Sequence, residues 1–310
     1  MLTITPKELV EAGIHFGHKT SRWNPKMKPY IFGKRKNIHI VDLRQTLRSV
    51  VRAHHFLKKE AAKGGAFLFV GTKRQARTIV EAEAKRAESF YAADRWIGGT
   101  LTNLEVIRRR IKRLEELEYL EDSGQMNNFS KKVISTLMRE KRKITRNLQG
   151  IREMSKIPSA LIIIDPRHEH NALAEARKLN VPVIALVDTD SDPEDIDIVI
   201  PGNDDAMRSI EIVCSKLADA ILAGRAERVQ VQMAAQDKKE AVPAAPARAV
   251  EEGEIPISPP PPKEENAAPV ADAAPLPVAE PVVESDAPGE VTEVTEVTEV
   301  KEVAEEARDA

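Results

Sequence analysis

Cysteine is almost missing from this chain. Cys214 stands alone among 310 residues, so no internal disulfide can form and no cysteine-based zinc site can be assembled. Aromatic residues make up only 4%. No apolar run approaches the roughly 20 residues that cross a bilayer. The N-terminal MLTITPKELVEAG lacks the charged start, apolar centre and small-residue cleavage site of a secretory signal. Also missing are the GxxxxGK phosphate loop, a GxGxxG after any strand, an HExxH helix and a GxSxG elbow. No catalytic constellation assembles. The absences point to a cytoplasmic protein that is not an enzyme and carries neither metal nor cofactor.

Charge is present in quantity but unevenly placed. The formal net charge of −2 hides two opposed parts. Residues 1–228 hold 41 Lys and Arg against 30 Asp and Glu; residues 229–310 hold 6 against 19. Within the basic part, residues 1–150 carry 32 against 15, so the positive field belongs to the first half. A field of that sign draws in a phosphate backbone.

Its densest stretch is 13–41, GIHFGHKTSRWNPKMKPYIFGKRKNIHIV. It holds Lys19, Arg22, Lys26, Lys28, Lys34, Arg35 and Lys36 and no acid. Trp23, Tyr30 and Phe32 lie among these cations. Pro25 and Pro29 each deny a helical hydrogen bond, which predicts loop and hairpin. Cations meet phosphates and flat rings stack on splayed bases, so this composition suits folded RNA. The plainer alternative is a solvated basic loop with its rings tucked into a core.

Thr5 before Pro6 caps a short helix that Gly13 closes. Tyr30-Ile31-Phe32 and Ile38-His39-Ile40 read as short strands joined by Gly33 to Asn37. Asp42 caps a helix running to about Lys63, ended by Gly64-Gly65. An α/β rhythm follows. AFLFV (66–70), ALIII (160–164) and VIALV (183–187) are continuous apolar runs, as in strands buried on both faces. A weak strand at 89–92 and another at 196–200 join them. Helices are expected over about 74–88, 172–179 and 205–222, with Gly224 after the last. The fold class is therefore α/β, a doubly wound, mostly parallel, flavodoxin- or Rossmann-like sheet.

One insertion, 104–152, breaks the rhythm. Leu104, Ile107, Ile111 and Leu114 step at helical spacing, as do Ile134, Leu137, Ile144, Leu148 and Ile151, with Lys141 in the remaining seam slot. An antiparallel coiled-coil hairpin is expected, projecting from the sheet domain and gaining little burial beyond itself. Its outer faces carry Arg108-Arg109-Arg110, Lys112-Arg113 and the run from Arg139 to Lys143, including Arg142. Residues 229–310 hold twelve of the twenty prolines, no aromatic residue and the run VTEVTEVTEV. They form an acidic tail expected to be disordered, because it cannot bury enough apolar area to offset ordering entropy.

Weaker motifs read more simply. Val70-Gly71-Thr72-Lys73 sits where a strand meets a helix, a position that suits an anion, yet a plain turn is the default. Asp165, His168 and His170 look metal-like without a third spaced histidine. Asp188, Asp190, Asp192, Asp204 and Asp205 gather near the strand ends, either around a hard cation or as helix caps and turn formers. Cys214 lies mid-helix on an apolar face, where a thiol is inert.

Five segments are specific enough to compare: AGIHFGHKTSRWNPKMKPYIFGKRKNIHIVDL, LFVGTKRQA, RWIGGTLTN, LIIIDPRHEHNALAEARKLNVPVIALVDTDSDP and IPGNDDAMRSI. They resemble, in order from Leu9 to Ala223, the bacterial family of small-subunit ribosomal protein number two. The resemblance implies a structural constituent of the small (30S) subunit that docks on ribosomal RNA between head and body. It implies neighbouring ribosomal proteins as partners, including the OB-fold protein number one, which it helps recruit. Neither a membrane nor DNA is an expected partner. The candidate RNA-binding set is Lys19, Arg22, Trp23, Lys26, Lys28, Lys34, Arg35, Lys36, Arg74, Arg95, Arg108, Arg109, Lys112, Arg139, Arg142 and Lys143, with Trp23 bracing its loop. Ala93-Asp94 and Gln149 depart from the family pattern, and the tail after about Ala234 has no counterpart in it. The rival reading is a nucleotide-dependent enzyme on the same sheet.

Overall fold

A computed structural model describes residues 4–240. Helix α1 (Pro6–Glu11) begins as the sequence requires. Thr5 accepts from the Glu8 amide and the Glu8 carboxylate answers the Thr5 amide, a closed capping box. Strands β1 (Phe16–Lys19), β2 (Ile31–Arg35) and β3 (Ile38–Val41) make a small antiparallel sheet in the order β1-β3-β2. Helix α2 (Leu43–Ala62) is capped by the Asp42 carboxylate on the Arg44 amide and ends before Gly64, whose φ of +88° only glycine adopts easily.

The main sheet contains β4 (Phe67–Val70), β5 (Phe90–Ala92), β6 (Ala160–Ile164), β7 (Val183–Val187) and β8 (Ile198–Pro201). All pair in parallel, in the order β5-β4-β6-β7-β8. Numbered within the sheet this is 2-1-3-4-5, a doubly wound order whose direction reverses between β4 and β6. Side chains alternate between two cores. Phe67, Phe69, Ile162, Ile164, Ile184 and Leu186 face one, and Leu68, Val70, Leu161, Ile163, Val183 and Ala185 face the other. The first core is covered by α2, α3 (Arg77–Arg86) and α7 (Met207–Glu240). Beneath the second lie α6 (His170–Lys178) and the inner ends of α4 (Leu104–Asp122) and α5 (Lys131–Leu148). Cys214 is buried in the first core, where burial pushes its thiol up to about 12.

Two sequence expectations change here. Helix α7 does not stop at Gly224 but continues to Glu240, across the first residues assigned to the disordered tail. Gly224 serves packing instead: a Cβ there would meet the Lys58 carbonyl and lie 2.6 Å from Ala61 Cβ, so its bare backbone lets α7 cross closely over α2. The rest of the tail, from 241, lies outside the described residues. The 104–152 insertion is also less independent than expected. Ile107, Ile111, Leu148 and Ile151 are buried in the second core itself. No described helix is long and apolar enough to cross a membrane.

Candidate nucleic-acid interface

The small antiparallel sheet displays most of the basic stretch. Its β2–β3 turn is only Lys36-Asn37, with φ of 48° and 59°, while Gly33, Lys34 and Arg35 belong to β2. Two consecutive positive φ values match the twist of a tight hairpin. The sheet is tied to the carboxyl end of β7: the Asn24 amide donates to the Thr189 carbonyl at 2.8 Å and the His18 amide to Thr189 Oγ1 at 2.9 Å. Met27, fully buried, plugs the stretch into the second core.

Lys19, Arg22, Lys28, Lys34, Arg35 and Lys36 are exposed and have no ion-pair partner among the described residues. Lys26 differs: its ammonium binds Asp192 at 2.8 Å and Glu194 as well. Half-buried Trp23 packs on His39 with ring centroids 5.2 Å apart. Arg74 and Arg95 are exposed, the first just after β4 and the second just after β5.

Helices α4 and α5 carry the second group of cations. Ile107, Ile111, Leu114 and Leu117 form one buried face of α4, and Ile134, Leu137, Lys141 and Ile144 are half-buried along α5. Arg113 pairs with Glu140 across the helices at 3.4 Å, and Lys141 pairs with Glu121. Arg108, Arg109, Lys112, Arg139, Arg142 and Lys143 are all exposed. Arg109 is bound to Glu105 at 2.7 Å, an exposed pair of small energetic consequence. Arg108 donates to the Ser155 carbonyl and Arg142 to that of Met138.

The crevice at the sheet's reversal point is where an α/β fold would take a nucleotide. Here the chain fills it with its own carboxylates. Glu169, almost fully buried, accepts from the Thr72 amide at 2.8 Å and the Thr72 hydroxyl at 2.6 Å. The neighbouring Lys73 ammonium lies 2.7 Å from Asp204, 2.6 Å from Asp205 and 3.3 Å from Asp165. The Thr72 amide and hydroxyl are thereby taken by a carboxylate of the chain itself.

Beside it, His18 Nδ1 lies 2.7 Å from Asp188 Oδ2. Hydrogen bonding to Asp188 outweighs burial and raises His18 to about 9. Burial, with repulsion from Asp165 and Asp188, lifts Asp204 to about 8 against the pull of Lys73. Asp204 Oδ2 is buried with no hydrogen-bond partner. Ligand atoms of His18, Asp188 and Asp204 all lie within 4.8 Å of one another, the one set among the described residues that could hold a metal ion. The imidazole was absent from the sequence expectation, which grouped only aspartates. Asp165, His168 and His170 do not converge in this way: Asp165, at φ 61°, spends its Oδ1 on the Arg167 and His168 amides as a turn former.

Sequence reasoning missed Glu175. It is nearly buried on α6, and its carboxylate accepts from Trp96 Nε1 at 3.0 Å and from the amides of Gly99, Leu101 and Thr102 at 2.8, 3.0 and 3.1 Å. Burial opposes its ionisation, but these donors prevail and hold its pKa below the ordinary value. A signal existed: Glu175 falls between Ala172 and Ala176 on the helix's apolar face.

The family model for ribosomal protein S2 matches residues 9–224 of this chain. The small ribosomal subunit protein uS2 of Rhodopirellula baltica is 52% identical over 239 residues, covering 77% of this chain and 91% of that protein.

Proposed function

The chain belongs to the ribosomal protein S2 family, and from that premise we propose how its surfaces are used. It is a structural component of the small ribosomal subunit, acting in the cytoplasm on the ribosome, and not an enzyme. In our reading it is anchored on small-subunit RNA between head and body. The observation that carries this is the set of exposed cations of the basic stretch that have no ion-pair partner among the described residues: Lys19, Lys34, Arg35 and Lys36 on the small sheet and its hairpin turn, and Arg22 and Lys28 in the short helical turns between β1 and β2. An exposed cation without an internal partner gives up nothing but water and counterions when it meets a phosphate.

Arg74, Arg95 and the outer faces of α4 and α5, from Arg108, Arg109 and Lys112 to Arg139, Arg142 and Lys143, form the second contact area. The two helices act as an antiparallel coiled-coil arm from 104 to 152. Lys26 and Trp23 shape the first loop. Residues 1–228 make the docking domain, and the acidic tail 229–310 screens it from stray nucleic acid. Neighbouring ribosomal proteins pack beside it, and the OB-fold protein number one is recruited through it. Neither DNA nor a membrane is a partner.

The test is sedimentation of tagged full-length protein from cells through a sucrose gradient. Co-migration with the small subunit is expected, with loss of particle association when Arg22, Lys28 and Lys34 are all replaced by Ala. Unchanged association of that variant would assign the basic stretch to solvent.

A further inference from the structure

Helix α2 carries a stripe of cations that lies beyond the basic stretch. Arg44, Arg48, Arg52 and Lys59, with His55 among them, are all exposed. At 3.6 residues per turn these five positions fall within about 80° of arc, along roughly 22 Å of helix. Glu60, the one acid of the helix, falls outside that arc. Thr46, Val50, Ala53, Leu57 and Ala61 occupy the opposite face and are fully buried. None of the four cations has an ion pair or a side-chain hydrogen bond among the described residues. The pairs that α2 does make join Lys58 to Glu227 and Glu60 to Lys63.

This arrangement works against the helix itself. Like charges at i and i+4 repel, and Arg44 with Arg48 and Arg48 with Arg52 are such pairs. Arg44 also stands in the first turn, where the helix dipole is already positive and no acid offsets it. A face that is merely solvated gains by mixing signs, whereas an unmixed row recovers its cost when a polyanion lies along it.

The stripe starts where the basic stretch ends. Gln45 Nε2, in the first turn of α2, donates to the Pro29 carbonyl at 2.5 Å, and the Asp42 amide donates to the Tyr30 carbonyl at 2.9 Å. Arg44 therefore follows directly on the segment that bears Lys28. Nucleic acid and acidic protein both carry enough negative charge to cover the row. A protein interface, however, needs large apolar or aromatic anchors at its centre. Among the described residues of α2, Val51 is the one large hydrophobic that is exposed. A phosphate backbone needs no such anchor, and guanidinium forks match its oxygens in pairs. We propose that α2 is a track for the RNA backbone. RNA held by the basic stretch continues along the helix, with its phosphates on Arg44, Arg48, Arg52 and Lys59. The inference rests on the reading of the protein as an RNA binder and adds to it a surface outside both 13–41 and the arm.

Full-length protein with Arg44→Gln, Arg48→Gln and Arg52→Gln together would be titrated with small-subunit RNA across a salt series. Beside it would run wild type and a control with Lys7→Gln, Lys85→Gln and Lys178→Gln, three cations outside both surfaces. The α2 variant should flatten the slope of log K against log salt by about 2 to 3, at roughly 0.7 to 0.9 per lost phosphate contact. The control, which removes the same charge, should leave the slope nearly unchanged. The α2 variant should melt no earlier than wild type, because the substitutions relieve repulsion within the helix. In intact small subunits irradiated at 254 nm, nucleotide adducts are expected within residues 44–59. An α2 variant with the wild-type slope would overturn the track, as would an equal loss in the control, which would assign the effect to net charge. Should the α2 variant melt early, the adducts decide, and their absence from 44–59 overturns the proposal. Cross-linking of that segment to protein without RNA would overturn it as well. Failure of the unaltered protein to bind RNA would instead bring down the RNA-binding reading itself.

Discussion

The Glu175 carboxylate of α6 accepts the indole N–H of Trp96 at 3.0 Å, joining two residues 79 positions apart. Through Gly99, Leu101 and Thr102 the same carboxylate holds the loop that launches α4. The start of α4 is therefore tied to α6.

Glu175→Gln should lower stability by about 2–4 kcal/mol, because an amide N–H₂ would face buried donors left without an acceptor. The folded-state pKa of Glu175 is depressed, so its contribution is complete above about pH 4.5 and is lost as pH falls through the lowered value. Urea melts should show a gap between wild type and variant that is full at pH 7 and narrows below pH 4.5. A constant gap would mean that charge is not what holds the loop.

The His18 cluster predicts alkaline sensitivity. A histidine raised from 6.5 to about 9 contributes stability that is full below pH 6.5 and gone above about 9. Asp204 acts in the same direction. Its neutral form is favoured in the fold, so stability drains away as pH rises from 3.8 to about 8. In chelator-treated buffer the melting temperature should fall between pH 6.5 and 9, and Asp204→Asn should flatten that fall. A flat wild-type profile would contradict the burial and pairing described here.

Gly224→Ala sets two effects against each other. Helix propensity favours alanine by about 1 kcal/mol. Against it, the new methyl would collide with the Lys58 carbonyl, and overpacking costs about 1–3 kcal/mol. A carbonyl held in a helix cannot retreat easily, so the melting temperature should drop. A rise would show that α7 and α2 separate without cost.

Among first-loop cations, Lys26 should be the odd one. It is bound to Asp192 and Glu194, whereas Arg22 and Lys28 have no such partners among the described residues. Single Ala variants at Arg22 and Lys28 should each flatten the salt dependence of RNA binding by roughly 0.7 to 0.9, and Lys26→Ala by much less. Filter binding across a salt series checks this. An equal effect from Lys26 would mean that phosphate displaces its two carboxylates.

Replacing Glu105–Arg152 by a Gly-Ser linker should both prevent subunit assembly and weaken the remaining domain. Ile107, Ile111, Leu148 and Ile151 leave the second core with the arm, and deletions of buried aliphatic side chains typically cost about 2–5 kcal/mol each. Normal melting of the shortened protein would show that the arm's base is not part of that core.

Local chemistry settled much of this protein in advance. FLFV, ALIII and VIALV are apolar at every position, and only a strand covered on both faces accommodates that, so the parallel sheet was legible. Thr5, Asp42 and Gly64 marked helix ends because capping depends on residues within a few positions. The basic stretch was visible as composition alone.

Long-range proximity was not legible. Which cation of 13–41 is already neutralised depends on Asp192 and Glu194, more than 160 positions away. That Glu175 is a loop anchor, or that His18 joins Asp188 and Asp204, follows only when the order β5-β4-β6-β7-β8 brings their loops together. Gly224 read as a helix stop because glycine is a poor helix former, and only the close crossing of α2 shows why it lies inside a helix. Periodicity and capping act over a few residues, whereas a buried charge is decided by whatever the fold places within hydrogen-bond reach.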